Sequence, residues 1–224
     1  RTGWYFRLLG RPRPEWSGVA PGCSHPDRNP RRVEVHTLER LAEQLRQAGI
    51  PHVPPPVLDF LDADLGPFGL PDGIALLVPG SAPHRPDKRW PAERYGELAR
   101  ALAERRGLTP VLIGTAAEAD ALGRIRAACP EARDLGGRTG FAEIAALARR
   151  AHFAVGNDTG PMHLIAAAGC PVLTLFSAAS DPRRAAPGGP DAAWLQREPL
   201  AELSVEEVLA ALPAPRRPEP RRHG

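Results

Sequence analysis

Short apolar runs alternate with longer amphipathic stretches from residue 74 onward. The apolar runs predict buried strands at Ile74–Val78, Pro110–Ile113, Phe153–Val155 and Val172–Phe176. Apolar residues at helical spacing predict helices over Pro91–Arg106, Ala116–Ala128 and Phe141–Arg150 and a last helix between the capping box at Ser204 and Pro213. Because short apolar strands separated by helices are typical of a parallel sheet covered on both faces, the pattern predicts an α/β fold.

The first third of the chain is less regular. An amphipathic helix is predicted before Gly49, with Leu38, Leu41 and Leu45 on one face. Residues 50–73 are rich in proline and are interpreted as a linker into a new domain. The predicted organisation is therefore a first segment over 1–49, a linker over 50–73, a domain over 74–212 and a disordered basic tail over 213–224.

The segment 156–163, Gly-Asn-Asp-Thr-Gly-Pro-Met-His, lies between a predicted strand and a short predicted helix, Leu164–Ala168. Either Asp158 or Thr159 suits the helix N-cap, and Pro161 suits the first turn. The free N–H groups of a helix N-terminus bind anions, and we expect the small residues at 156 and 160 to let a ligand approach the backbone closely. The segment predicts a phosphate site, although an ordinary, well-capped turn has the same spacing.

Polar turns follow the other predicted strands as well. They are Pro79–Ala82, Gly114–Glu118 and Ser177–Pro182, and Lys88 lies just before the helix that opens at Pro91. Because the carboxyl ends of parallel strands share one edge of a sheet, these turns predict a composite ligand site there.

Charge and composition narrow the classes of partner. The net charge is +3, and arginine clusters lie near both ends of the chain. Because the sequence contains no basic module with interleaved aromatic residues, nucleic-acid binding is not predicted. The scattered cysteines Cys23, Cys129 and Cys170 fit neither a disulfide framework nor a zinc site, which favours a reducing cytoplasm. No run approaches the length of a membrane span.

In order and spacing, the motifs resemble glycosyltransferase family 9, the ADP-heptose:lipopolysaccharide heptosyltransferase family. The resemblance rests on Pro79-Gly80-Ser81, Lys88-x-Trp90-Pro91, Gly114-x-x-x-Glu118 and the Asn-Asp-Thr-Gly-Pro-Met-His run at 157–163. It implies a two-lobed, Rossmann-like fold of the glycosyltransferase B type, with a nearly complete C-terminal nucleotide-sugar lobe and only the end of the N-terminal acceptor lobe. Residues 1–49 would be the remnant of that acceptor lobe. Because the family's first strand and glycine-rich loop have no counterpart in this sequence, we expect about half to one domain's worth of the lobe to be missing.

The resemblance also implies a reaction. The family transfers a sugar from an ADP-sugar to a lipopolysaccharide-core acceptor, with inversion and without a metal or cofactor. It implies a cytoplasmic location and raises the prospect of peripheral contact with the inner face of the cytoplasmic membrane. The family's general-base Asp belongs to a glycine-rich loop that has no counterpart in this sequence, so no catalytic base is assigned.

Residue roles follow from the matched positions. Lys88 would contact the diphosphate and stabilise the leaving group. Ser81 would place a hydroxyl near the diphosphate, Glu118 would bind the ribose hydroxyls and Thr139 would line the base pocket. The donor-contacting turn would be formed by Asp158, Thr159 and Gly160, and His163 would help to orient Asp158. Asp158 would accept hydrogen bonds from the sugar, because a carboxylate is a poor neighbour for phosphate.

Two alternatives stay open. The chain could be a non-catalytic ADP-sugar-binding fragment, or part of a related two-lobed enzyme that uses another nucleotide-sugar.

Overall fold

The computed structural model describes residues 14–82 and 84–215, together with residues 5, 8 and 9. The chain divides into two compact units, residues 1–56 and 57–224. The boundary thus falls inside the predicted linker 50–73. Most of residues 1–13 lie outside the described residues, as do residues 216–224 of the predicted tail.

The first unit contains two short parallel strands and one helix. Strand β1 (Ser17–Gly18) pairs with β2 (His25–Pro26), and helix α1 spans Thr37–Gln47. The Nδ1 atom of His36 accepts a hydrogen bond from the N–H of Leu38 at 3.2 Å and caps the helix. The helix predicted from the leucine spacing is confirmed, and none of its residues is buried within the unit.

The second unit is built on a parallel sheet of six strands. In chain order the strands are β3 (Ile74–Val78), β4 (Thr109–Leu112), β5 (Arg133–Asp134), β6 (Ala154–Asn157), β7 (Val172–Phe176) and β8 (Ala192–Gln196). Their order across the sheet is β5-β4-β3-β6-β7-β8, and every pair is parallel. This is a doubly wound order, and the direction of winding reverses between β3 and β6.

Helices cover both faces of the sheet. They are α2 (Ala92–Arg106), α3 (Ala119–Ala128), α4 (Phe141–Arg150), α5 (Gly160–Ala167), α6 (Pro182–Ala185) and α7 (Val205–Ala210). Alternate residues of β3 face two separate apolar cores: Leu77 packs in a core with α2, α3 and α7, whereas Leu76 and Val78 pack in a core with α4 and α5. The predicted α/β fold with a parallel sheet covered on both faces is confirmed.

The structure corrects several element boundaries. Residues 116–118 form a 3-10 turn, and helix α3 begins only after it, because Thr115 and Glu118 form a capping box that sets the turn apart. Helix α5 begins at Gly160, directly after Thr159, one of the two predicted N-cap residues, and therefore includes the residues just before the apolar run at 164–168. Strands β5 and β8 were not predicted, since β5 has two polar residues and β8 is a half-exposed edge strand without a clear alternation.

Residues 57–73 pack against the rest of the second unit. The guanidinium group of Arg149 bonds to the carbonyls of Leu58 and Leu61, and that of Arg150 bonds to the carbonyls of Leu70 and Pro71. These bonds satisfy backbone acceptors in a stretch that has little secondary structure, and they place residues 57–73 in this unit despite the prolines.

Candidate functional site

An open cleft lies at the carboxyl ends of β3, β4 and β6, where the sheet reverses its winding. Its volume is about 300 Å³. Its walls are Val78, Gly80, Ser81, Ala82, Ile113, Gly114, Thr115, Ala117, Glu118, Thr139, Ile144, Thr159 and Pro161. Ligands of open α/β sheets bind at this position, because the loops on either side of the reversal diverge there. Four of the predicted site residues line the cleft: Ser81, Glu118, Thr139 and Thr159.

Lys88 and Asp158 form an ion pair at the same edge of the sheet. The distance from Nζ to Oδ2 is 2.6 Å, although the two residues are 70 positions apart in the chain. Only 16% of the lysine side chain and 11% of the aspartate side chain are exposed. The structure thus brings together two residues that the sequence assigned to different parts of the donor, phosphate and sugar.

The side chain of Asn157 joins both ends of the loop that carries Ser81 and Lys88. Its amide nitrogen donates to the carbonyl of Pro79 at 2.6 Å, and its oxygen accepts from the N–H of Trp90 at 3.1 Å. The same oxygen accepts from the hydroxyl of Tyr95 at 3.0 Å. Asn157 is fully buried, so these bonds replace water that the amide has lost. One residue therefore fixes the base of this loop.

Tyr95 supports Asn157 from helix α2. The tyrosine is fully buried, and its ring contacts that of Trp90 edge to face at 4.9 Å between centroids. Burial raises the pKa of the Tyr95 hydroxyl well above 10.0, so the residue stays a neutral hydrogen-bond donor. Trp90 packs inside the protein, and its indole N–H donates to the carbonyl of Leu203 at 2.9 Å.

Ser81 is buried, and its hydroxyl has protein partners. Oγ donates to the carbonyl of Arg85 at 3.0 Å and accepts from Nε of Arg89 at 3.0 Å. A second nitrogen of Arg89 bonds to the carbonyl of Ser81, and Arg85 bonds to the carbonyl of Ala179. Ser81 lines the cleft, but its hydroxyl also stabilises the loop beside it.

Glu118 lines the cleft and caps the turn after β4. One carboxylate oxygen accepts from the N–H and the hydroxyl of Thr115, at 2.7 and 2.6 Å. A Cβ at Gly80 would lie 3.1 Å from the Glu118 carboxyl carbon, so the glycine lets this side chain approach the loop after β3. The other oxygen, Oε1, faces Gly80, which itself lines the cleft.

Gly156 serves packing and not the approach of a ligand, which corrects the sequence-based expectation. A Cβ there would lie 2.5 Å from the sulfur of Met162 and 2.8 Å from Cβ of Val78. Helix α5 therefore packs directly on the strand at this point. At Gly160 nothing lies within 4 Å of an added Cβ, so the expectation of open space holds there.

Thr159 is the N-cap residue of α5, with extended backbone, and Pro161 lies in the first turn, so one of the two caps left open by the sequence is observed. The first N–H groups of a helix have no partner within it. Thr139 lies in the turn before α4, and the guanidinium carbon of the neighbouring Arg138 lies 5.2 Å from the centroid of the Phe68 ring. His163 lies on the exposed side of α5 and does not line the cleft.

Two supporting residues, Asn157 and Arg89, were not among the predicted site residues. Asn157 belonged to the recognised motif, but an Asn in such a run suggests a turn and not a buried hydrogen-bonding centre. A compositional signal at Lys88 was also overlooked: 28 of the 29 basic residues are arginine, and Lys88 is the single lysine.

In the part of the chain that the structure describes, no group of three or more His, Cys, Asp or Glu residues could hold a metal ion. Among the same residues, no helix is long and apolar enough to cross a membrane.

Comparison with known proteins places this site in a family context. The sequence model of glycosyltransferase family 9 (heptosyltransferase) matches residues 34–210. Lipooligosaccharide heptosyltransferase 2 of Haemophilus influenzae is 35% identical over 112 residues, which are 48% of this chain and 32% of that protein. The matched part of this chain thus spans about a third of that relative's length.

The solved structures that are similar to this chain include two from E. coli. E. coli ADP-heptose LPS heptosyltransferase II has a TM-score of 0.70 and 24% identity, over 88% of this chain and 68% of that one. E. coli heptosyltransferase WaaC with ADP-2-deoxy-2-fluoro heptose has a TM-score of 0.54 and 26% identity, over 62% of this chain and 42% of that one. The family model covers most of the chain, and the similar structures have the same fold. The chain belongs to glycosyltransferase family 9, the heptosyltransferase family.

Proposed function

We propose that this chain carries the donor site of a heptosyltransferase that moves a sugar from an ADP-sugar to a lipopolysaccharide-core acceptor. The observation that carries the proposal is the position of Lys88. The single lysine of the chain lies beside the turn at 158–160, next to the cleft where the sheet reverses. A phosphate placed there would meet one ammonium group and the N-terminus of α5.

Each part of an ADP-sugar has a matching group at this edge. The lysine and the helix N-terminus suit the diphosphate, and they would stabilise the charge that develops on the leaving group without a metal ion. Glu118 suits the ribose hydroxyls, and the apolar wall with Ile113 and Ile144 suits a base. The similar WaaC structure contains an ADP-heptose analogue, which supports ADP-heptose as the donor to test.

The proposed reaction is a single displacement at the anomeric carbon, with inversion. The acceptor hydroxyl would need a general base, and no residue of this chain is assigned to that role. We place the reaction at the cytoplasmic side of the inner membrane, where a lipopolysaccharide-core acceptor is built.

Calorimetric titration tests the donor site. ADP-heptose, ADP and UDP are titrated into the chain and into Lys88→Gln, with Arg94→Gln as the control. Arg94 pairs with Glu97 on the surface of α2, so this control removes the same charge away from the cleft. We expect the chain and the control to bind both adenine ligands better than UDP, and Lys88→Gln to bind them about tenfold more weakly. A folded chain that binds none of the three would overturn the proposal.

A second function, ADP-sugar binding without catalysis, is favoured by one observation. All of the proposed donor-binding residues belong to the second unit, residues 57–224. A transfer assay with ADP-heptose and a lipopolysaccharide-core acceptor separates the two functions. Sugar transfer by this chain supports the enzyme, whereas tight donor binding without transfer supports the binding protein.

A further inference from the structure

Asp158 neutralises the only lysine of the chain. The carboxylate oxygen lies 2.6 Å from the ammonium nitrogen, and both side chains are largely buried. A hydrogen bond also joins the two segments that carry the pair. The side chain of Asn157, the neighbour of Asp158, accepts a hydrogen bond from the N–H of Trp90, two residues after Lys88. The buried amide of Asn157 therefore ties the backbone next to Asp158 to the backbone near Lys88.

A ligand that brings only phosphate meets an unfavourable charge at this pair. Its oxygens must approach Lys88 while a carboxylate lies within hydrogen-bond distance of the same ammonium group. Like charges this close repel each other strongly where water is partly excluded. Bare diphosphate binding is therefore weakened by Asp158, although Lys88 attracts it.

A ligand that brings hydroxyl groups beside its phosphate meets a different site. An ionised carboxylate accepts about four hydrogen bonds, so Asp158 can accept from sugar hydroxyls while it keeps its bond to Lys88. Such bonds are charge-assisted and stronger than neutral ones. The hydroxyls thus turn the carboxylate from an obstacle into a binding group.

We propose that Asp158 makes this site select sugar-bearing diphosphates over the same diphosphates without the sugar. The proposal rests on the proposed function, because it assumes that the diphosphate binds at Lys88. It adds that one carboxylate discriminates against the nucleoside diphosphate product. After transfer, the product carries more charge and no sugar hydroxyls, and the carboxylate therefore promotes its release.

The test compares ADP-heptose and ADP by calorimetry with three proteins: the unchanged chain, Asp158→Asn and Asp120→Asn. Asp120 is exposed in the first turn of α3, so its substitution removes the same charge at a distance. We expect Asp158→Asn to bind ADP about tenfold more tightly than the unchanged chain does and to lose about tenfold or more of its preference for ADP-heptose. Asp120→Asn should keep the preference.

The outcomes separate the two proposals. Weaker or unchanged ADP binding by Asp158→Asn, with ADP-heptose still bound by the unchanged chain, would overturn the role of Asp158 and leave the donor site intact. Failure of the unchanged chain to bind either ligand would overturn both. Should Asp158→Asn fail to fold, Asp158→Ser removes the same charge with a smaller side chain, and the same change in preference is expected of it.

Discussion

The side-chain oxygen of Asn157 accepts a hydrogen bond from the backbone N–H of Trp90 at 3.1 Å. This contact ties the end of β6 to the loop that carries Lys88, across 67 positions of sequence. The strand that leads into the Asp-Thr-Gly turn and the segment that carries the lysine are therefore fixed to each other. The relationship accounts for the short distance between Lys88 and Asp158.

Replacing Asn157 by alanine should destabilise the protein strongly. The carbonyl of Pro79 and the N–H of Trp90 would lose their buried partner, and each unsatisfied group costs about 1–3 kcal/mol. We expect a loss of about 3 kcal/mol or more in the free energy of unfolding, measured by urea denaturation. Tyr95→Phe removes one bond to the same amide and should cost only about 1 kcal/mol. Equal losses in the two variants would contradict the central role of Asn157.

Tyr95 should also make stability depend on alkaline pH. Its pKa in the folded protein is raised by burial above 10.0, so above that pH the unfolded chain loses a proton that the folded chain keeps. Stability from this residue is complete below pH 10.0 and decreases as the pH rises further. Urea denaturation at pH 9 and at pH 10.5 should show a smaller decrease for Tyr95→Phe than for the unchanged chain. Identical decreases would show that Tyr95 does not titrate in this way.

Gly156→Ala should disturb the packing of helix α5 on the sheet. The new Cβ would lie 2.5 Å from the Met162 sulfur and 2.8 Å from Cβ of Val78, which no rotamer change at position 156 can relieve. We expect a loss of about 1–3 kcal/mol. Gly123→Ala in α3 is the matched control: nothing lies within 4 Å of its Cβ, and helix propensity should make it stabilising by about 0.5–1 kcal/mol. Thermal unfolding of both variants measures the contrast.

The ion pair of Lys88 and Asp158 should show energetic coupling. Lys88→Gln leaves a largely buried carboxylate without its cation, and Asp158→Asn leaves a largely buried ammonium group without its anion. Each single variant should therefore be less stable than the unchanged chain. The double variant removes both charges and should be more stable than the sum of the single losses predicts, by about 1–2 kcal/mol. Strictly additive losses in urea denaturation would mean that the pair contributes nothing to stability.

The general fold could be predicted because it depends on local patterns. Runs such as Ile74–Val78 and Val172–Phe176 are buried at every position, and only a sheet covered on both faces produces such strands. The order of the strands could not be derived from these patterns, since pairing of β3 with β6 joins residues that are far apart in sequence. Strand β8 was not predicted, because a half-exposed edge strand lacks the continuous apolar run of the buried strands.

The residues of the site were predicted from the sequence, but the contacts between them were not. Lys88 and Asp158 were both expected at the strand ends, and their direct contact depends on how the loop before α2 folds back over β6. Asn157 could not be assigned its role, because turn and core positions for an Asn look alike in sequence. The expected role of Gly156 was wrong for a related reason: the sequence does not show that the Met162 side chain of α5 packs against this strand.

The accessibility of Lys88 is the most direct measure of whether the donor binds where we propose. An amine-directed acylating reagent has one lysine target in this chain, and peptide mapping separates that adduct from one at the N-terminal amine. ADP-heptose at about ten times its dissociation constant should slow the labelling of Lys88 about tenfold, while the N-terminal amine reacts at an unchanged rate. Labelling of Lys88 at the same rate with and without bound ADP-heptose would contradict the account.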